Sequence, residues 1–323
     1  MASIADATPV GRPPVFFSGL PGGVQFATTV MQRHQARILL YREALEELSK
    51  NPQAADVPEC PPIETKSIYL CIRRPAIPTT AGTTTAIRRR IAVLVGNNGY
   101  KKPIPVLDTP IADVDKIAEV LRTRFGYETQ VLHDAGKAQI IQTINKIAEE
   151  AKPEDSVLVY YAGHGFLMDE TKMGFWIPID GSANTAANWI SNTDISRLLH
   201  AIPSRQIILV SDSCFSGLLT REQRLTDTFY ADPKKILQRR AVLVLSSGGE
   251  GPVFDTGRNN HSIFAWNLIK TLGSVQGHTI GFEVYRAVQK GVVKDFPQQV
   301  PQYGAVISAG HMNGGEYLFD TMR

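Results

Sequence analysis

Two short stretches hold the side chains best suited to covalent chemistry: YYAGHG, which supplies His164, and SDSCFSG, which supplies Cys214. A thiol becomes a strong nucleophile only as thiolate, and an imidazole close in space, not in sequence, can take its proton at neutral pH. Gly163 and Gly165 let the backbone turn tightly around the imidazole, and Ser216 and Gly217 let the chain leave the thiol without a bulky side chain over it. The backbone N–H groups of Cys214 and Gly165 are then candidate donors to an oxyanion. Taken singly, each residue has a plainer reading, since a lone Cys in an apolar strand is most often a small core hydrophobe and a His among glycines is a loop residue. Together they reverse that balance, because each ends an apolar run in a Gly-bearing turn and each supplies what the other needs.

Positioning such a pair requires neighbouring strands that end at the same level, and the pattern from Arg90 onward is that of alternating strands and helices. IAVLVG (91–96) reads as a buried strand. Asp108 or Thr109 before Pro110 opens a helix with Ile111, Val114, Ile117, Val120 and Leu121 on one face. QVLH is a second strand, Ile140, Ile141, Ile144 and Ile147 mark a second helix, and SVLVYYAGHG is a third strand running into its loop. A helix near 193–201 leads to QIILVSDSC and then AVLVLSS, continuous apolar runs of the kind found inside a covered parallel sheet. Helices near 262–272 and 282–293 precede a last strand near 303–308. This is a doubly wound α/β arrangement of about six strands with helices on both faces, with a site where strand C-terminal ends meet loops.

The N-terminal part is organised differently. Residues 1–23 are rich in Pro and Gly, and 24–49 carry Phe26, Val30, Ile38, Tyr41, Leu45 and Leu48 at helical spacing. Pro52, Pro58, Pro61 and Pro62 break the chain, SIYLCI (67–72) suits a short strand, and 75–85 reads as a linker. We therefore divide the chain into an N-terminal extension, 1–86, with one amphipathic helix, and a main domain, 87–323. The helix would expose an apolar stripe if alone in water, so it is expected to pack on the main domain or on a regulatory partner.

Charge and cysteine usage exclude several classes. The formal charge is +3; residues 1–90 hold 11 Lys/Arg against 7 Asp/Glu, and the rest holds 23 against 24, so the main domain is no polyanion-binding surface. The run Arg88, Arg89, Arg90 reads as a short solvated basic linker, and no nucleic-acid partner is expected. Cys60, Cys71 and Cys214 make no CxxC pair, which argues against a zinc ribbon or a disulfide framework and for a reducing compartment. No secretory signal or membrane-length apolar run stands out, and the expectation is a cytoplasmic protein.

At this point the sequence resembles a known family. YYAGHG followed by DSCFSG looks like the His and Cys boxes of caspase-like cysteine peptidases, and Asp two residues before Cys is most similar to metacaspases and orthocaspases. The similarity runs from about residue 91 to 319 and includes IAVLVGNNGY, the closing PQYGAVISAG and YLF; residues 1–86 have no counterpart in it. The resemblance implies a caspase-like fold and hydrolysis of a polypeptide substrate by His164 and Cys214. It also implies an acidic S1 pocket that accepts Arg or Lys, whose acids match Asp212 and, within PVLDTPIADV, Asp113. Where the family often has Ser two residues before the His, this chain has Ala162, one pocket hydroxyl fewer. Asp113 has a second reading as a first-turn carboxylate on a helix dipole, and Asp212 as a strand-end turn residue. Many metacaspases use calcium held by several Asp side chains. The position seven after the nucleophile is Arg221 here and only Asp194 matches another, too few oxygens for Ca²⁺, so we expect no metal and no cofactor.

No Asp or Asn orienter for His164 is evident in the sequence, which leaves a Cys/His dyad. The polar stretch LLTREQRLTDTFYADPKKILQRR (218–240) reads as an open loop with basic residues, so self-cleavage is expected after Arg221, Arg224, Lys235 or Arg240, or in the linker at 88–90. Two alternatives remain open: a caspase-like scaffold acting by protein binding, and a peptidase selecting Asp or Asn at P1.

Overall fold

The computed structural model describes residues 86–168, 171, 173–213, 223–224, 233–248 and 257–322. The expected helix at 24–49, the strand at 67–72 and Cys214 itself lie outside the described residues. The chain divides into two units, 1–73 with 182–186 and 74–181 with 187–323, and the second holds the central sheet and its helices.

The continuous apolar runs become that sheet. In chain order its strands are β1 (Arg90–Gly96), β2 (Glu128–His133), β3 (Ser156–Ala162), β7 (Gln206–Asp212), β9 (Ala241–Ser246) and β11 (Gln302–Ala305), with a two-residue edge piece, β8 (Gln223–Arg224). Across the sheet the order is β2-β1-β3-β7-β9-β11-β8. Contacts from β2 through β9 are parallel, and β11 and β8 are antiparallel. β3, β7 and β9 are buried at every position, which is why their sequences lack the polar alternation of a one-sided sheet.

Helices cover both faces. Helices α1 (Pro110–Phe125), α5 (Ile263–Ser274) and α6 (Gly281–Asp295) close one face over Leu94, Leu158, Tyr160, Ile208 and Leu243. A short strand that leads directly into α6, β10 (His278–Ile280), pairs antiparallel with β12 (Leu318–Asp320). Helices α2 (Lys137–Glu150) and α3 (Asn192–Ala201) pack together on the other face. Between β3 and α3 the chain forms a small antiparallel sheet, β4 (Gly165–Met168), β5 (Met173–Trp176) and β6 (Ile190–Ser191). It joins the second face through the stacked rings of Tyr161 and Trp176, 4.3 Å apart, and through Trp176 Nε1–H, which donates to Ser211 Oγ at 3.1 Å. This sheet is absent from the sequence reading because its strands are four residues or shorter, too few to display a period. The last predicted strand is also shorter than expected and ends at Ala305, followed by a 3₁₀ turn, Ile307–Ala309.

Two basic segments differ from expectation. The triplet at 88–90 is no solvated linker: Arg88 pairs with Asp155, Arg89 with Glu128 at 2.5 Å, and Arg90, the first residue of β1, with Asp320 at 3.0 Å. The end of the 218–240 stretch is built into the core. Helix α4 (Pro233–Leu237) buries Ile236 and Leu237. Arg240, 1% exposed, donates to the carbonyls of Leu199, Ile202, Ser204 and Ala309, and burial pulls its pKa down to about 10. Its guanidinium donates to carbonyls at and just beyond the end of α3, where a helix runs out of its own donors, and Leu199 O also accepts from Ile202 N–H at 3.3 Å. A residue so held cannot enter a peptidase cleft without local unfolding, and the structure withdraws Arg240 from the self-cleavage candidates. Lys235 is exposed but helical, and cleavage there requires α4 to unwind first.

Candidate active site

The register of the sheet sets the level of the site. Gly96 of β1 pairs with Ala162 of β3, and Ala162 pairs with Asp212 of β7, so three C-terminal strand ends lie side by side. His164 and Cys214 each follow one of these paired residues, Ala162 and Asp212, at the same interval of two. The ladder continues one step further, Gly163 N–H donating to Asp212 O at 3.4 Å.

His164 is fixed through backbone and ring. Its N–H donates to the Tyr100 hydroxyl at 3.0 Å, and its carbonyl accepts from Ile177 N–H at 2.9 Å and faces the Tyr161 hydroxyl at 3.0 Å. Tyr100 donates in turn to Ile177 O at 2.8 Å, and burial raises its pKa to about 12, so the hydroxyl stays protonated. Gly163 is needed here for space: a Cβ would stand 2.6 Å from the Tyr100 oxygen and 2.9 Å from that of Tyr161.

The imidazole packs edge-on against Tyr100, centroids 4.7 Å apart, and its Nε2 lies 2.8 Å from the carbonyl of Pro105. A carbonyl only accepts, so Nε2 must carry the proton, and in the neutral ring Nδ1 is the basic nitrogen. Pro105 O is therefore the orienter that the sequence reading did not find. A main-chain oxygen leaves no residue-type signal, and only the folded loop 97–109 brings it to the ring. That loop is held by Asp134, which accepts from Asn98 N–H and Gly99 N–H, and by the Asn98 side chain, which donates to Asp108 O and accepts from Ile111 N–H.

Gly165 opens β4 opposite Trp176. Because Ile177 N–H donates to His164 O, Gly165 and Trp176 form a non-hydrogen-bonded pair, and the Gly165 N–H points away from β5. That orientation is compatible with donation to an oxyanion.

The acids expected in the pocket converge. Gly96 lets α1 approach the strand ends so closely that a Cβ there would stand 2.6 Å from Pro110 O, and one turn later this brings Asp113 beside them. Asp113 is fully buried and Asp212 is 8% exposed. Ser262 joins them: its N–H lies 3.3 Å from Asp113 Oδ2, and its hydroxyl donates to Asp212 Oδ2 at 2.6 Å. The same hydroxyl accepts from Ala265 N–H at 2.9 Å and so also caps α5. Ser262 was legible as a helix start, not as the link between the acids. Tyr160, on the face of β3 that also holds Ala162, has its pKa raised well above the ordinary value, first by burial and then by the charges of Asp212 and Asp113. Ala162, where the family's hydroxyl is missing, follows Tyr160 by two positions on the same buried strand. Asp194 is engaged elsewhere, in a capping box with Ser191 at the start of α3. Among the described residues no group of three or more His, Cys, Asp or Glu is placed to hold a metal ion, and no helix is long and apolar enough to cross a membrane.

A mostly parallel sheet with helices on both faces and a histidine loop beside the β7 end defines a caspase-like α/β protein. The caspase domain model matches residues 89–308, and the chain belongs to that family. It therefore carries a cysteine-peptidase scaffold. Among solved structures, a structural-genomics target from Geobacter sulfurreducens is similar at 18% identity, covering 71% of this chain and 99% of its own, with a TM-score of 0.50. Caspase-1 from Spodoptera frugiperda is 16% identical over 69% of this chain and 89% of its own, with a TM-score of 0.48. No curated protein sequence matches the chain.

The anchoring of His164 yields a first prediction. Tyr100→Phe removes the acceptor for His164 N–H, a loss worth about 1–3 kcal/mol when a polar group is left unpaired. Steady-state kinetics should give kcat roughly 5- to 150-fold lower with KM little changed, because the ring is displaced while Asp113 and Asp212 are untouched. A variant with wild-type kcat would mean that Pro105 alone orients the ring.

Proposed function

We propose that this protein is an endopeptidase that cleaves after Arg or Lys, with Cys214 as nucleophile and His164 as its base and later the acid for the leaving amine. Backbone N–H groups of Gly165 and Cys214 stabilise the tetrahedral oxyanion. Asp212 and Asp113 bind the P1 cation beside Ala162, as in the metacaspases and orthocaspases it resembles. The observation that carries the reading is the convergence of two buried carboxylates, joined by Ser262, at the strand ends where His164 is held. Two desolvated negative charges favour a guanidinium or ammonium and disfavour an Asp side chain. A neutral imidazole held at Nε2 can take the thiol proton at Nδ1, whereupon Cys214 Sγ attacks the carbonyl carbon. The amine then leaves with that proton, and water releases the acyl group.

Without the calcium ligand set of its relatives, the enzyme works with no metal, in a reducing compartment such as the cytoplasm, and processes itself after Arg221, Arg224 or, once α4 unwinds, Lys235. A peptide electrophile with P1 Arg should label Cys214 faster than its P1 Asp or P1 Asn counterparts, and intact mass spectrometry should find cut chains in active protein but not in Cys214→Ala protein. Absence of labelling by all three probes would favour a scaffold role, and identical masses under conditions of peptide turnover would remove self-processing.

A further inference from the structure

Beside the two acids lies a residue that neither the family motifs nor the sequence reading marked. His261 immediately precedes Ser262, and its Nδ1 stands 2.7 Å from Asp113 Oδ1; the ring is mostly covered and the carboxylate fully so. An ionised carboxylate only accepts, so Nδ1 carries a proton, and Asp113 receives one donor on each oxygen: His261 on Oδ1 and Ser262 N–H on Oδ2. The far side of the imidazole stacks on Trp266, centroids 6.3 Å apart, one turn into α5. The Asp113 carboxylate is therefore held from the α5 side by two consecutive residues, while its neighbour Asp212 is held by the Ser262 hydroxyl.

We infer that His261 is a specificity-determining positioning residue of the basic-P1 pocket, setting both the orientation and the effective charge of Asp113. This inference rests on the acidic-pocket reading above. With a neutral ring, the donated N–H aims the carboxylate and leaves its full charge for the substrate. With a protonated ring, the same contact becomes an ion pair, and the pocket holds one net negative charge fewer when P1 arrives. A cation entering the pocket then meets a weaker field and a like charge behind its partner.

Two influences hold the ring neutral near pH 7 against the pull of the Asp113 carboxylate toward the charged form. Burial holds the His261 pKa below the ordinary imidazole value, and Lys116 on α1 adds to that effect. Asp113 on α1 and Asp212 at the end of β7 are the acids at the site, and Arg258, on the same hairpin as His261, is paired with Asp295 of α6. On α5, Lys270 sits 5.5 Å from the Trp266 ring centroid. The charge change therefore belongs to the acid side of neutrality, where His261 takes up its proton.

The measurement is KM and kcat on matched P1-Arg and P1-Lys peptides from pH 5.5 to 8, for wild type, His261→Ala and His261→Asn, with thermal melts of each. Asn places an amide N–H where Nδ1–H stands but has nothing to titrate. At pH 7.5 the Ala variant should show KM for P1 Arg raised at least fivefold with kcat within about twofold, and the Asn variant should recover most of that loss. On acidification the wild-type KM should rise while the Asn variant's KM stays flat. If Ala does not fold, the flat profile of Asn carries the test. An Asn profile parallel to wild type, or an Ala variant with unchanged KM, overturns the inference and leaves the acidic pocket standing. Wild-type enzyme with no preference for Arg or Lys at any pH overturns both.

Discussion

Cys214→Ala protein is expected to hydrolyse no peptide above background, a loss on the order of 10³-fold or more in kcat/KM, while folding as wild type does. The two outcomes separate because the residues carrying the fold are elsewhere: β3, β7 and β9 are buried at every position, and the strand ends are locked by register and by Tyr100, Tyr161 and Ser262. Removing one sulfur from a chain with this core changes little of the area buried. His164→Ala should be as severe in turnover, since a thiol without a base is mostly protonated at neutral pH and the leaving amine has no acid. If the pair acts as a unit, as proposed, the double variant should be no worse than either single one. Turnover assays on preparations free of other peptidases, with thermal unfolding of each variant, make the comparison. Substantial activity in Cys214→Ala protein would remove the nucleophile assignment.

Legibility in the sequence depended on whether a feature leaves a residue-type signal. Buried parallel strands announce themselves as runs such as IAVLVG and QIILV, and helices as apolar periods, so the alternation of β1, β2, β3, β7 and β9 with α1, α2, α3, α5 and α6 could be read directly, while the short β4, β5, β6, β8, β10 and α4 could not. The acids were nameable because a motif carries them, yet their convergence depends on Gly96 admitting Pro110 and on Ser262, both tertiary facts. Pro105 could not be found by residue type, since its contribution is a carbonyl. Arg240 misled for the opposite reason. A charged residue in a polar run reads as solvated, and nothing local reveals that the end of α3 and the segment at Ala309 present carbonyls to it. Arg88 to Arg90 misled likewise, their partners Asp155, Glu128 and Asp320 being distant in sequence.

Asp212→Ala is expected to lower kcat/KM for P1-Arg peptides far more than for peptides with a neutral P1. A guanidinium entering the site gives up hydration and must recover it, which a carboxylate does through paired, charge-assisted hydrogen bonds. Removing one buried partner of such a pair costs on the order of 2–5 kcal/mol, about 30- to 4000-fold at ~1.4 kcal/mol per tenfold. Asp212 is the better placed of the two acids for this role, lying two residues before Cys214, in register with Ala162, and slightly open to solvent where Asp113 is closed. Asp212→Asn separates charge from shape, since an amide oxygen can still accept from Ser262, whose hydroxyl now donates to the carboxylate at 2.6 Å. If charge governs the pocket, the Asn variant should lose nearly as much on P1 Arg as the Ala variant and should melt closer to wild type. Asp113→Ala should act in the same direction with a smaller effect, approaching that of Asp212 if both carboxylates share the guanidinium. Kinetics on matched peptides that differ only at P1, with Arg, Lys, Asp and Asn, make the test. A preference for Asp or Asn, or an Asp212→Asn enzyme that cleaves after Arg at the wild-type rate, would sink the acidic pocket while leaving Cys214 and His164 untouched.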